Sequence, residues 1–132
     1  MEQKTKKYIN HTKEEIEEYL ERIKKCVIKG KFIVPQTDNR IENREFIEKY
    51  KLKSSKIKDM ILNVDVLDFC YSVDNYNSVN EKMYIFAKEY ELYEWGINNI
   101  VLVYIKFVLK NNDYVVVVSF HQPNKKIKKL FI

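Results

Sequence analysis

The segment Val103–His121, VYIKFVLKNNDYVVVVSFH, predicts an antiparallel β-hairpin. Most of its residues are β-branched or aromatic, which is typical of strands, and a pair of asparagines, Asn111 and Asn112, interrupts them. Asparagine tolerates positive φ, the backbone conformation that a two-residue hairpin turn requires. We therefore predict one strand from Ile100 to Lys110 and a second from Asp113 to His121.

The pleat of this hairpin divides its side chains between two faces. On the first strand one face is wholly apolar: Val101, Val103, Ile105, Phe107 and Leu109. A connection of two residues, or of four, places Tyr104 opposite Ser119 and Leu102 opposite His121. The apolar face of the second strand is then Tyr114, Val116, Val118 and Phe120. A three-residue connection shifts the register by one and reverses the faces of the second strand.

In the even register, the polar side chains of both strands share the face opposite the helices: Tyr104, Lys106, Ser119 and His121. This combination suits phosphodiester cleavage. Histidine exchanges a proton near neutral pH, lysine neutralises charge on a phosphorane, and tyrosine donates a hydrogen bond or stacks on a base. RNA supplies its own nucleophile, the 2′-OH, so neither a metal nor another cofactor is needed. The alternative is that these are ordinary solvated residues of an exposed sheet face.

Helical signals precede the strands. Thr12 and Glu15 form a capping-box pattern before an apolar periodicity that ends at Gly30. A short strand ends at Pro35, Asn43 is predicted to cap a helix through Tyr50, and a further helix begins near Ser54. The segments VDVLDFCYS and KMYIFAKEY are strand candidates, separated by the turn-rich VDNYNSVNE and followed by a loop around Gly96. This order predicts an α+β fold, with N-terminal helices packed on one face of a mainly antiparallel C-terminal sheet.

Length and composition favour a single domain over residues 1–132 of this 16.0 kDa chain. Residues 1–10 are expected to form a loose basic arm, and residues 123–132 a basic C-terminal tail. A net charge of +5 favours anionic partners. No apolar run is long enough to span a bilayer, and the N-terminus lacks a signal-peptide pattern, so we expect a cytoplasmic protein. Cys26 and Cys70 are interpreted as small apolar fillers.

Several other residues have two interpretations each. His11 is a capping or surface residue rather than a ligand. The carboxylates of Asp65 and Asp68 are an acid/base pair or the polar entry to a strand. Trp95 is a loop anchor or a platform for a base. In the tail NKKIKKLFI, the apolar residues dock on the domain with the lysines outward, or the segment follows a phosphate backbone.

The motifs LDFCYS, MYIF, VYIK and VVVVSFH, in this order and spacing, resemble the MqsR-type toxins of bacterial type II toxin–antitoxin systems. The segment FIVPQTDNRIENREFIEKYKL, leading into IKDMILNVDVLDF, is similar to the version of that family in low-GC Gram-positive bacteria. The resemblance covers about residues 20 to 122. It implies a RelE-like fold, metal-independent and ribosome-independent cleavage of mRNA at short sequence signals, growth arrest, and neutralisation by a cognate antitoxin protein.

The family's site residues carry over in part. Its tyrosine and lysine on the VYIK strand match Tyr104 and Lys106, and its basic residue after SF matches His121. Its other lysine falls on Tyr71 and its glutamine near Phe86, neither of which can replace those groups. The alternative function is therefore a non-catalytic inhibitor, or a nucleic-acid- or protein-binding module, of phage or plasmid origin on the same scaffold.

Overall fold

The computed structural model describes residues 6–75 and 81–132 as an α+β fold, which confirms the predicted class. The α-helices of this part of the chain are α1 (Lys13–Ile28), α2 (Ile41–Lys49) and α3 (Ser54–Leu62). The strands are β1 (Lys7–Tyr8), β2 (Phe32–Ile33), β3 (Phe69–Asp74), β4 (Lys82–Glu94), β5 (Ile97–Lys110) and β6 (Tyr114–His121). They form one sheet in the order β1-β3-β4-β5-β6-β2, antiparallel throughout except that β2 runs parallel to β6.

Helix α1 begins and ends at the predicted signals. The Thr12 hydroxyl accepts a hydrogen bond of 3.1 Å from the backbone N–H of Glu15, which satisfies one of the free donors of the first turn. Gly30 adopts φ +74°, a conformation that is costly for other residues, just beyond the last turn. The buried face of α1 carries its predicted apolar residues, including Ile16, Ile23 and Val27.

The main core lies between the helices and one face of the sheet. The predicted apolar face of β5 is part of it, from the buried Val101 to the partly buried Leu109. Four phenylalanines, one from each central strand, are fully buried there: Phe69, Phe86, Phe107 and Phe120. Removing each ring from water stabilises the fold by about 1.5–3 kcal/mol. The helices therefore pack on one face of the sheet, as predicted.

The connection between β5 and β6 differs from the prediction. Lys110 pairs with Tyr114, so the loop has three residues, and β6 begins at Tyr114 rather than Asp113. Asn111 and Asn112 both adopt positive φ, at 52° and 56°. An odd loop reverses the faces of the following strand. The predicted apolar face is accordingly wrong for Tyr114, Val116 and Val118, and the core instead receives Val115 and Val117.

A β-bulge at Val118 then reverses the faces again. Phe107 pairs with Val117, but Lys106 pairs with Ser119, which leaves Val118 as the extra residue on β6. Beyond the bulge, Phe120 is in the core, as predicted. The predicted cross-strand partners are wrong by two residues, because Tyr104 lies opposite His121 rather than opposite Ser119. The predicted polar face survives because the two shifts of one residue add up to an even number, which restores the predicted alternation of faces.

The second face of the sheet carries a smaller hydrophobic cluster of Cys70, Tyr71, Val73, Ile85 and Ala87. The C-terminal tail crosses this face. Ile127 packs on the small cluster, Leu130 and Phe131 pack on the main core, and the Leu130 N–H donates to the Phe69 carbonyl at 2.8 Å. Docking of the tail is thus confirmed. One of its lysines, Lys129, turns inward and pairs with Asp68 at 3.2 Å.

The remaining predictions concern the N-terminal arm and two turns. Within the predicted basic arm, residues 1–5 lie outside the described residues, and Lys7–Tyr8 pair with β3. The predicted turn of VDNYNSVNE falls largely on residues 76–80, which are also outside them. The expected loop around Gly96 is a tight turn, with Trp95 at φ 55° and Gly96 at φ 75°. In the described part of the chain, no helix has the length and apolar character to cross a membrane.

Candidate active site

One cavity on the second face of the sheet brings the four predicted site residues together. Its volume is about 260 Å³, and Tyr104, Lys106, Ser119 and His121 all line it. The opposite walls come from Arg40 and Glu42 near the start of α2, from Tyr71 on β3, and from residues 123–127 of the tail. The cavity is therefore built by the sheet, a helix and the tail together.

The rings of His121 and Tyr104 stack against each other in the cavity wall. Their rings lie 5.7 Å apart between centroids at an interplanar angle of 28°. The His121 Nδ1 lies 2.7 Å from the Gln122 carbonyl oxygen. A carbonyl only accepts, so Nδ1 carries the hydrogen, and Nε2 of the neutral ring is a proton acceptor. Glu42 Oε2 lies 3.8 Å from Nδ1, positioned to pair with the ring when it is protonated.

Lys106 places a positive charge in a half-buried position without a carboxylate beside it. Burial lowers the pKa of its ammonium, and the nearby charges of Arg40 and Lys125 lower it further. Among residues 6–75 and 81–132, no carboxylate oxygen lies within 4 Å of its Nζ. The cavity wall thus concentrates cationic groups that repel one another, which is the electrostatic condition for binding an anion.

Tyr104 is held as a neutral phenol. Burial, together with interaction and hydrogen bonding with Tyr71, raises its pKa well above the ordinary value. It therefore serves as a hydrogen-bond donor or a stacking surface at physiological pH rather than as a base. Tyr71, the position where the family resemblance calls for a lysine, is buried and belongs to the same cavity.

Asn43 holds the bulged strand that carries Ser119 and His121. Its side chain is 1% exposed. The amide nitrogen donates to the carbonyls of Val118 and Pro35, each at 3.0 Å, and the amide oxygen accepts from the Phe120 N–H at 2.8 Å. The predicted role of Asn43 as a helix cap is wrong, because α2 begins at Ile41 and Asn43 lies inside its first turn. Asparagine is a poor helix former, and the hydrogen bonds to β6 explain its presence.

Arg40 and Glu42 were not among the residues predicted for the site, and Asn43 was predicted only as a helix cap. They form one segment, but their contacts with the cavity and with β6 are made across about 75 residues of sequence. The only local signal was Asn43 itself, and an asparagine at the predicted start of a helix is explained equally well by capping. The tail lysines did carry a signal, because a lysine-rich segment is typical of one that follows a phosphate backbone.

The other sequence candidates lie outside this cavity. His11 is largely buried, between the Glu15 carboxylate at 3.1 Å and the Ser72 hydroxyl at 2.8 Å. Asp65 and Asp68 cap a 3-10 turn, Val66–Asp68, and Asp68 also pairs with Lys88 and Lys129. We interpret the contacts of His11, and those of Asp65 and Asp68, as contacts that stabilise the fold.

Two further candidates have clear positions. Trp95 is 91% exposed, so its interpretation as a loop anchor is wrong. Phe86 is fully buried in the main core and contributes nothing to the cavity.

Within the described residues, no group of three or more His, Cys, Asp and Glu side chains lies close enough together to hold a metal ion. A scan against models of protein families gave no match for this chain, and a search of curated proteins also gave none. A function is therefore inferred from the chemistry of the residues that line the cavity.

Proposed function

We propose that this protein is a metal-independent endoribonuclease that cleaves single-stranded RNA by attack of its 2′-OH, and that it is the toxin of a toxin–antitoxin pair. The observation that carries the proposal is the convergence of His121, Tyr104 and Lys106 in one cationic cavity. A proton acceptor, a neutral hydrogen-bond donor and a cation are the groups that cleavage of RNA by its own hydroxyl requires.

Binding of the substrate follows from the charge of the cavity. Burial lowers the pKa of Lys106, and the charge of Arg40 lowers it further. A phosphate between Lys106 and Arg40 relieves this repulsion, and the tail residues Lys125 and Lys126 extend the cationic wall. The aromatic faces of Tyr104 and His121 offer a stacking surface to an unpaired base. A duplex keeps its bases stacked inside, so the cavity favours single-stranded RNA.

In the proposed reaction, Nε2 of His121 takes the proton of the 2′-OH while the 2′-oxygen bonds to the adjacent phosphorus. The bond from phosphorus to the 5′-oxygen breaks, and the protonated imidazole returns the proton to that leaving oxygen. The products are a 2′,3′-cyclic phosphate and a 5′-hydroxyl. Lys106 neutralises the charge that develops on the non-bridging oxygens, and the Tyr104 hydroxyl donates to one of them. Ser119 lies opposite Lys106 on β6 and has a supporting role beside these three residues.

The decisive experiment incubates purified protein with a defined single-stranded RNA in the presence of a chelator and maps the new ends. We expect 2′,3′-cyclic phosphate ends, and no cleavage of an RNA with a 2′-deoxy residue at the cut site. His121→Ala is expected to reduce the rate by about 10²–10⁴. His11→Gln, which changes the other histidine, is the matched control and should retain cleavage. A His121→Ala protein that cleaves at the wild-type rate contradicts the mechanism.

The toxin role has its own test in cells. Expression of the wild-type chain should arrest growth, and expression of His121→Ala at the same level should not. A small helix-turn-helix gene beside this one supports an antitoxin partner, whereas neighbouring phage or anti-defence genes support an inhibitor.

One observation favours the non-catalytic alternative. Tyr71 and Phe86 occupy positions where the resemblance implies polar groups, and Phe86 is buried in the core. A binding module on this scaffold would retain RNA, or a protein partner, without turnover. Salt-dependent binding that leaves the RNA intact would favour this alternative over the nuclease.

A further inference from the structure

Strands β4 and β5 extend beyond their neighbours as a two-stranded ribbon. The pairing of β3 with β4 reaches only to Phe86, and the pairing of β6 with β5 reaches only to Tyr104. The outer edge of β5 from Ile97 to Val103 therefore has no strand beside it in the described part of the chain. Its backbone groups also make no turn or loop hydrogen bond there.

This edge lacks the features that normally protect an unpaired strand. Charged side chains and proline discourage edge-to-edge pairing. From Ile97 to Ile105 the chain carries neither, although 33% of all residues are charged. The side chains of Ile97 and Ile100 are 63% and 62% exposed. The partner strand of the same ribbon is different, because it carries Lys88, Glu89, Glu91 and Glu94. One edge of the ribbon is protected and the other is open.

We propose that the open β5 edges of two copies of this chain pair antiparallel over Ile97–Val103 and form a closed two-fold dimer with one continuous sheet. A second copy suits this edge because two uncharged strands meet without like-charge repulsion. Antiparallel pairing of one segment with itself is self-complementary, and each copy uses its edge once, so the assembly stops at two chains. Pairing satisfies the free backbone groups and covers Ile97 and Ile100.

In the register centred on Ile100, Ile97 of one copy lies opposite Val103 of the other. The next place along that edge, opposite Tyr104, is held by His121 of the same chain, so the pairing between copies ends at Val103. The dimer does not rest on the proposed function.

Sedimentation equilibrium tests the dimer directly. We expect the wild-type chain to have twice its mass of 16.0 kDa. Ile100→Lys puts two ammonium groups against each other at the centre of the interface, and we expect the dimer dissociation constant to rise at least about tenfold, a cost of about 1.4 kcal/mol. Tyr93→Lys is the matched control. Tyr93 is 63% exposed on β4, on the protected strand of the same ribbon, and its replacement should leave the dimer intact.

Crosslinking supplies an independent measurement. Residues opposite each other in antiparallel strands have Cα atoms about 4.5–5.5 Å apart, which a disulfide spans. Oxidised Ile100→Cys should therefore form a covalent dimer and Tyr93→Cys should not, while the native Cys26 and Cys70 are buried.

Three results would overturn the dimer: a monomeric wild type at high micromolar concentration, an Ile100→Lys protein as dimeric as wild type, or a mass that grows beyond two chains. A monomer that still cleaves RNA overturns the dimer alone. A dimer that leaves RNA intact contradicts only the proposed function.

Discussion

The side chain of Asn43, in the first turn of α2, donates a hydrogen bond of 3.0 Å to the carbonyl of Val118, the extra residue of the β6 bulge. The same side chain accepts from the N–H of Phe120. It therefore binds the strand on both sides of Ser119, where the bulge disrupts the regular ladder. Because the bulge turns Ser119 and His121 to the cavity, Asn43 couples the helix to the geometry of the candidate site.

We expect Asn43→Ala to lower the free energy of unfolding by about 2–4 kcal/mol, because it leaves buried carbonyl and N–H groups without partners. Urea unfolding followed by circular dichroism measures this change. Asn39→Ala, at an exposed position before α2, is the control and should change stability by less than about 0.5 kcal/mol. Equal effects of the two substitutions would mean that Asn43 does not hold the bulge.

We expect Lys106→Met to stabilise the protein slightly at pH 7 while it weakens RNA binding. The pKa of Lys106 is lowered in the folded protein, so its charge disfavours folding wherever it is protonated. This gain should shrink as pH rises through the lowered pKa towards 10.5, because the native lysine then loses its charge in the folded state. Urea unfolding at pH 7 and pH 10 gives the comparison.

A control for this prediction is Lys56→Met, on the exposed side of α3. It should leave stability within about 0.5 kcal/mol at both pH values. A Lys106→Met protein that is less stable than wild type at pH 7 would show that the contact of the ammonium with the Tyr104 ring, 5.8 Å from its centroid, outweighs the cost of burying the charge.

Arg40→Gln should weaken the binding of a non-cleavable 2′-deoxy oligonucleotide and make it less dependent on salt. One phosphate contact in a single strand contributes about 0.7 to the slope of log K against log salt concentration. Fluorescence anisotropy at several salt concentrations measures both quantities. Arg22→Gln is the control. Arg22 is an exposed residue of α1 that does not line the cavity, so its replacement should reproduce the wild-type slope.

Asp68→Asn should release the C-terminal tail, because the buried Asp68 carboxylate pairs with Lys129 of the tail and with Lys88 of β4. We expect faster tryptic cleavage after Lys125 and Lys126, which line the cavity, and a matching loss of RNA affinity. Mass spectrometry of a time course identifies the cuts. The control is Asp38→Asn, which removes an exposed carboxylate beside Arg44 and should leave the rate of tryptic cleavage unchanged. An unchanged rate in Asp68→Asn would contradict a role for the Asp68–Lys129 ion pair in holding the tail.

Local signals were sufficient for the fold class and for α1 and β5 in particular. Thr12 and Gly30 mark the ends of α1, and the alternation along β5 identifies its buried face. These signals act between residues a few positions apart, so their energies do not depend on the rest of the fold. The polar face that carries Tyr104 and Lys106 followed from the same alternation.

The register of β6 and the walls of the cavity depended on the tertiary structure. The pair Asn111–Asn112 suits a turn of either parity, and the bulge at Val118 is held by Asn43, 75 residues away. The predicted convergence of Tyr104, Lys106, Ser119 and His121 was therefore obtained from an incorrect loop length, since the odd loop and the bulge each shift the strand by one residue. Arg40 and Glu42 reach the cavity only because α2 packs against β6. Such contacts join segments far apart in the chain, and their energies exist only once the fold has formed.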